Sequence, residues 1–318
     1  MSVFTTVTTE QLQAWLAHYP LGALRDLKGI ASGITNTNYF VTTESGRYVL
    51  TLFEKNSAEE LPYFLDLMAH LADKGIPCPH PVASMQGHYL DTLNGKPAAL
   101  VSCLRGGSLD APNPAQCAEM GRVLARMHQA GEGFAQTMDN PRGPHWWNDT
   151  AAILLPLLDA DDRTLLQNEL AHQAAFRHSA LPRGVIHADM FRDNVLFEGD
   201  TLTGLIDFYY ACNDALAYDL AITVNDWCVH DDGELDTERL KAMLQAYHHE
   251  RALTSEEMQA WPTLLRGAAL RFWLSRLYDK HHPQPGELTH AKDPNHFRRI
   301  LALRIANTPN LPAMLAEH

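Results

Sequence analysis

The spacing of apolar residues changes character near residue 105. Upstream, short alternating runs predominate; downstream, long stretches repeat every three to four positions. Leu12, Trp15 and Leu16 form a helical stripe behind Thr8, and Gln11 completes a capping pair with Thr8. Residues 24–53 read as strand, loop, strand, turn, strand. Tyr39 to Val41 and Tyr48 to Phe53 carry the β-formers, and Glu44-Ser45-Gly46 makes the turn. Leu61, Phe64, Leu65, Met68 and Leu71 predict a helix over residues 57–74. Gly87 to Leu90 and Ala98 to Leu104 read as two more strands of the same sheet.

Helices are predicted over residues 113–130, 149–158, 161–178, 214–228, 236–251, 255–281 and 294–305. A β-rich insert, from Gly184 to Asp207, interrupts them. The pattern predicts an α+β, two-lobed chain: residues 1–104 as a small antiparallel sheet with one main helix, and residues 105–318 as a larger, mostly helical lobe.

Composition narrows the function classes. A net charge of −13 argues against a general nucleic-acid binder, which needs a basic surface. The five cysteines lack zinc-ligand or redox-pair spacing and read as reduced, buried thiols. The N-terminus has no basic and apolar leader pattern, and no apolar run reaches the ~18 residues that span a bilayer. The expectation is a cytoplasmic protein, a monomer or weak homodimer, without membrane or nucleic-acid partners.

The candidate chemistry sits in the insert. An apolar strand ends in His187-Ala188-Asp189. Asn194 follows five residues after Asp189, and a second strand pair ends in Asp207, eighteen residues after Asp189. This is the layout of a kinase catalytic loop and its metal aspartate. Phosphoryl transfer to an alcohol needs a carboxylate to orient the hydroxyl and take its proton, which suits Asp189. It also needs hard oxygen ligands for Mg²⁺, which suits Asn194 and Asp207. His187 suits the organiser of the loop. Upstream, Gly29 to Asn38 is a small, polar loop before two strands. It reads as a flap over ATP, with Ser32, Gly33, Thr35, Asn36 and Thr37 near the phosphates through backbone amides and the hydroxyls of Ser32, Thr35 and Thr37.

With these stretches, and with Gly46 to Glu54, Leu181 to Phe197, Tyr218 to Trp227 and Leu270 to Leu277, the chain resembles the protein-kinase-like small-molecule kinases. That group includes aminoglycoside phosphotransferases and choline kinases, and within it these stretches are most similar to its homoserine kinases. The resemblance implies ATP and Mg²⁺ as cofactors and phosphorylation of an amino-acid alcohol, L-homoserine, on the way to threonine. It also implies that residues 100–104 bind adenine through their backbone, at Ser102 and Leu104. The slot that carries a phosphate-gripping lysine in other kinases of this fold holds Thr51, and its acidic partner would be Glu59 or Glu60. Homoserine is a zwitterion; Asp226 for its ammonium and Arg271 for its carboxylate are the expected readers. Two alternatives stay open: a kinase for choline, ethanolamine, an aminoglycoside or a methylthio-sugar, and a nucleotide-binding pseudokinase, for which Thr51 is the support.

Overall fold

Thr8 accepts a hydrogen bond from the Gln11 amide and Gln11 reaches back to the Thr8 amide, so helix α1 (Thr9–Leu16) starts where the sequence predicts. This computed structural model describes residues 5–30, 36–176, 180–283, 292–307, 309 and 311–315. The chain divides into two compact units, residues 1–106 with 203–209, and residues 107–202 with 210–318.

The first unit holds five antiparallel strands: β1 (Leu24–Gly29), β2 (Thr37–Thr43), β3 (Arg47–Leu52), β4 (Leu90–Leu93) and β5 (Lys96–Ser102). Their order is β1-β2-β3-β5-β4. Alternation places Tyr39 and Val41 inward, where they meet Leu50, Leu52 and Leu100 and the α1 residues Leu12, Trp15 and Leu16. Helix α2 (Leu61–Asp73) buries Leu61, Phe64, Leu65, Met68 and Leu71, the stripe read from the sequence. It begins later than predicted, because Pro62 occupies its first turn. The strand expected at Gly87 to Leu90 lies further on. Gly87 is a turn residue at φ 84°, and the tight turn between β4 and β5 is Asn94-Gly95, at φ 52° and 76°. Two successive left-handed residues make a hairpin turn of the mirror-image type, which Asn-Gly favours.

In the second unit, α3 (Pro114–Ala130) starts from an Asn113–Gln116 capping box, and α4 (Pro144–Leu154) starts five residues ahead of its predicted position, with Pro144 in its first turn. Helix α5 (Ala160–Ala175) is capped by Asp159. Strand β6 (Arg183–Ile186) pairs antiparallel with β9 (Cys212–Ala215), with Ile186 opposite Cys212. Sequence periodicity assigned residues 214–215 to a helix; the ladder claims them, and α6 (Leu216–Trp227) begins afterwards. Strands β7 (Val195–Glu198) and β8 (Thr201–Leu205) form a hairpin between Asn194 and Asp207. Helices α7 (Thr237–Glu250), α8 (Ser255–His281), α9 (Pro294–Ala306) and the short α10 (Leu311–Leu315) complete the unit. Its core contains the fully buried Trp227, Trp261 and Trp273. Among the described residues no helix is long and apolar enough to cross a membrane.

Candidate active site

The loop after β6 is built around a strained residue. Ala188 adopts φ 62°, a left-handed conformation that costs a non-glycine residue about 1–3 kcal/mol. Asp219 on α6 holds it there. Its Oδ2 accepts the His187 amide and its Oδ1 accepts the Ala188 amide, each at 2.8 Å. Asp219 is fully buried and also accepts Nε2 of His128, on α3, at 3.1 Å. Burial alone would raise the Asp219 carboxyl. The hydrogen bonds from the His128 side chain and the His187 amide carry it below the ordinary carboxylate range.

His128 is tied on its other edge. Its Nδ1 lies 2.7 Å from the hydroxyl of Tyr247, on α7. That hydroxyl in turn accepts from Nη1 of Arg251 at 3.2 Å, and Arg251 pairs with Glu257 at 3.0 Å. Every role in the chain is determined: Asp219 only accepts, so Nε2 donates, and the Tyr247 proton goes to Nδ1.

The loop itself closes compactly. His187 Nδ1 accepts the Asp189 amide at 3.2 Å, so its imidazole orients the loop, as the sequence suggested. Asn194 Nδ2 donates to the Asp189 carbonyl at 2.8 Å and to its Oδ2 at 3.2 Å. Trp227 Nε1 donates to the Met190 carbonyl at 3.1 Å. The Phe191 ring packs on Phe272 at 4.3 Å and stacks with Phe297 at 5.8 Å. Arg271 on α8 brings Nη1 to 3.7 Å from Asp189 Oδ1. Burial raises the Asp189 carboxyl, and the nearby charges of Arg271 and His187 oppose that rise. A carboxylate of raised basicity, held by the Asn194 side chain, is equipped to take a proton from an alcohol.

The expected site residues divide between the two units. His187, Asp189, Asn194, Asp226 and Arg271 belong to the second. Asp226 is engaged otherwise than expected: its Oδ2 accepts the Arg192 amide at 2.8 Å and Arg192 Nε at 3.1 Å. That carboxylate anchors the loop, which leaves it poorly placed to read an ammonium. Its neighbours Asn225 and Trp227 are fully buried, and Asn225 serves Leu265 and Arg304.

The first unit holds the remaining positions. Ser32, Gly33 and Thr35 lie outside the described residues. Thr37 is a correction. Its hydroxyl is fully buried, donates to Glu54 at 2.7 Å and accepts the Thr5 amide at 3.1 Å, so it faces the fold and cannot meet a phosphate. Asn36 accepts the Glu54 amide at 3.2 Å and pins the end of the flap loop. The Ser102 hydroxyl accepts the His80 amide at 2.9 Å, and Leu104 is half-buried after β5. Thr51 donates to Asn38 Oδ1 at 2.8 Å. Tyr209, two residues beyond Asp207, sets its ring edge-on to Phe53 at 5.0 Å. The slot where the resemblance expects a lysine thus holds a threonine hydrogen-bonded to Asn38. Glu60 accepts from Asn56 at 2.6 Å and from the Ser57 amide at 3.2 Å, a local cap for the entry to α2. Asp207 is exposed, at φ 65°.

Asp219, His128 and Tyr247 were not singled out from the sequence. The available signal was a carboxylate in a mostly apolar stretch, residues 216–224, and a histidine four residues after Leu124 on the buried stripe of α3.

Residues 26–253 match the profile of the phosphotransferase enzyme family. The chain belongs to that family. It is 63% identical over 306 residues to a homoserine kinase of Methylobacillus flagellatus, which covers 96% of each chain. It is 60% identical to a homoserine kinase of Methylobacillus glycogenes over the full length of both. Among solved structures, an amicoumacin kinase superposes with a TM-score of 0.70 at 16% identity, covering 95% of each chain. A microcompartment-associated aminopropanol kinase superposes with a TM-score of 0.66 at 19% identity, covering 97% of this chain and 99% of that one. At such identities the structures establish the phosphotransferase fold. The α+β, two-lobed kinase-like architecture read from the sequence is the fold of this family.

Proposed function

We propose that this chain transfers the terminal phosphoryl group of ATP to the hydroxyl of L-homoserine, giving O-phospho-L-homoserine for threonine biosynthesis. The observation that carries the reading is full-length identity of 60–63% to two homoserine kinases. The intact Asp189 and Asn194, held in a fully bonded loop, support a working kinase over a nucleotide-binding pseudokinase. Thr51, the one feature that favoured the pseudokinase, has a partner of its own in Asn38.

In this reading Asp189 orients the acceptor hydroxyl and takes its proton. Asn194 and Asp207 are the proposed Mg²⁺ ligands. Asn194 spends its amide N–H groups on Asp189, which leaves its carbonyl oxygen for a cation, and Asp207 offers an exposed carboxylate. Both are hard oxygen donors and fit Mg²⁺, which supplies charge neutralisation on the phosphates. Residues 1–104 are the proposed nucleotide-binding lobe, with the Ser32, Gly33, Thr35 and Asn36 loop over the phosphates and the backbone of Ser102 and Leu104 on adenine. Residues 105–318 are the proposed catalytic lobe, in a cytoplasmic monomer or weak homodimer.

The test is turnover of ATP by the purified chain, with Mg²⁺, over a panel of L-homoserine, choline, ethanolamine, 3-aminopropan-1-ol and an aminoglycoside. Phosphohomoserine as the dominant product is expected. Robust turnover of choline or an aminoglycoside with none of homoserine overturns the substrate. ATP binding without transfer to any alcohol overturns the kinase.

A further inference from the structure

Most of the buried and half-buried arginines described in the second unit are matched by acceptors of the protein. Arg251 is matched to Glu257 and Tyr247. Arg239 is matched to Asp236 and to the carbonyls of Trp227 and Val229. Arg266 is matched to Glu169, and Arg304 to Asn225 and the Gly233 carbonyl. Arg271 differs. Its side chain is 5% exposed, yet it donates no hydrogen bond to any described residue. The Asp189 carboxylate at 3.7 Å is beyond hydrogen-bond distance. What holds the guanidinium is aromatic: its carbon lies over the Phe272 ring at 3.7 Å and the Tyr210 ring at 5.2 Å from the centroids. Stacking fixes the plane and leaves the N–H edges without acceptors. A buried cation with unused donors is costly unless an anion completes it.

A second group beside it is also incomplete. Tyr218 on α6 is 5% exposed, and its hydroxyl finds no partner among the described residues. The positive charge of Arg271 acts on that hydroxyl, and burial keeps the phenol protonated. One donor fork beside Asp189 and one hydroxyl donor on α6, the helix packed against α8, both unsatisfied, match the oxygens of a planar anion.

We propose that Arg271 and the Tyr218 hydroxyl together bind the α-carboxylate of the acceptor beside Asp189, and so select amino-acid alcohols over plain amino alcohols. The inference rests on the homoserine reading and adds the residue pair that enforces it. Asp226, tied to Arg192, has no part in it.

The experiment compares L-homoserine with two acceptors that lack the carboxylate, L-homoserine amide and 3-aminopropan-1-ol, in the wild type, Tyr218→Phe and Arg271→Lys. The wild type is expected to favour homoserine by about 10- to 100-fold in kcat/KM, the scale of one or two charge-assisted hydrogen bonds. Tyr218→Phe removes an oxygen that bonds nothing in the protein, so it should fold normally. It should raise KM for homoserine and leave KM for ATP and kcat/KM for 3-aminopropan-1-ol in place. Arg271→Lys keeps the charge but not the fork, and should raise the homoserine KM further. If it fails to fold, the Tyr218→Phe data and the wild-type acceptor ratio decide alone. Equal use of homoserine and its amide by the wild type, or unchanged homoserine KM in Tyr218→Phe, overturns the pair while the homoserine reading stands. Preference for some other carboxylate-bearing alcohol keeps the pair and overturns homoserine. Turnover restricted to alcohols without a carboxylate overturns both.

Discussion

The Tyr247 hydroxyl, 2.7 Å from Nδ1 of His128, decides which edge of that imidazole faces Asp219. Because the tyrosine donates there, the ring keeps its own proton on Nε2 and gives it to Asp219. Asp219 then presents both oxygens to the amides of His187 and Ala188. A phenol on α7 thus fixes backbone geometry one residue from Asp189, the proposed base.

Tyr247→Phe should therefore lower kcat several-fold and leave KM for ATP and homoserine near the wild-type values. The lost donor leaves a buried acceptor on His128, which costs about 1–3 kcal/mol of stability in urea unfolding. A rise in either KM with kcat unchanged would show that Tyr247 shapes a binding surface instead of the loop.

The contact between α3 and α7 depends on Gly121. A Cβ at that position would lie 2.3 Å from the Met243 carbonyl oxygen of α7, and backbone cannot yield cheaply. This close approach is what lets His128 and Tyr247 meet, seven residues and four residues further along their helices. Gly121→Ala should push the helices apart, cost at least about 1–3 kcal/mol and lower kcat as Tyr247→Phe does. Wild-type stability in thermal unfolding would mean that α7 can slide without consequence.

Much of the fold and the centre of the site were legible because the signals are local. His187, Asp189, Asn194 and Asp207 lie within one strand-loop-hairpin segment, and the caps at Thr8, Asn113, Asp236 and Thr254 each act over three residues. What supports the loop is not local. His128 meets Asp219 across 91 positions and Tyr247 across 119, and nothing in one sequence pairs them. Strand β9 was hidden because its residues, Cys-Asn-Asp-Ala, have no β-forming character, and its pairing with β6 creates it. Thr37 and Asp226 had the right chemistry for ligands, but the fold uses their polar atoms.

Acid should weaken the loop through Asp219. Its carboxyl is depressed in the folded state, so it contributes stability that is fully present above the ordinary carboxylate range near 3.8. That contribution is lost as pH falls through the lower, folded value. Asp219→Asn should therefore cost at least about 1–3 kcal/mol at neutral pH, the scale for losing hydrogen bonds to a buried charged group. The gap between variant and wild type should hold from pH 7 to about pH 5 and shrink below about pH 4. Urea unfolding of both proteins across that range checks the sign, and a gap that widens in acid would contradict it.

Asp189→Asn separates chemistry from binding. The amide keeps an oxygen that can accept from Asn194, so the loop should hold and calorimetric binding of an ATP analogue with Mg²⁺ should survive. The proton acceptor is gone, and kcat should fall by at least ~10², the range of general-base contributions. The same substitution removes the anion 3.7 Å from Arg271. If Arg271 reads the acceptor carboxylate, homoserine should then bind at least as tightly as in the wild type, because its carboxylate becomes the sole counter-charge for that guanidinium. A variant that turns over at a near-normal rate places the base elsewhere. A variant with the expected rate loss but weakened homoserine binding would mean that Asp189 itself holds the substrate, with Arg271 serving only to hold Asp189.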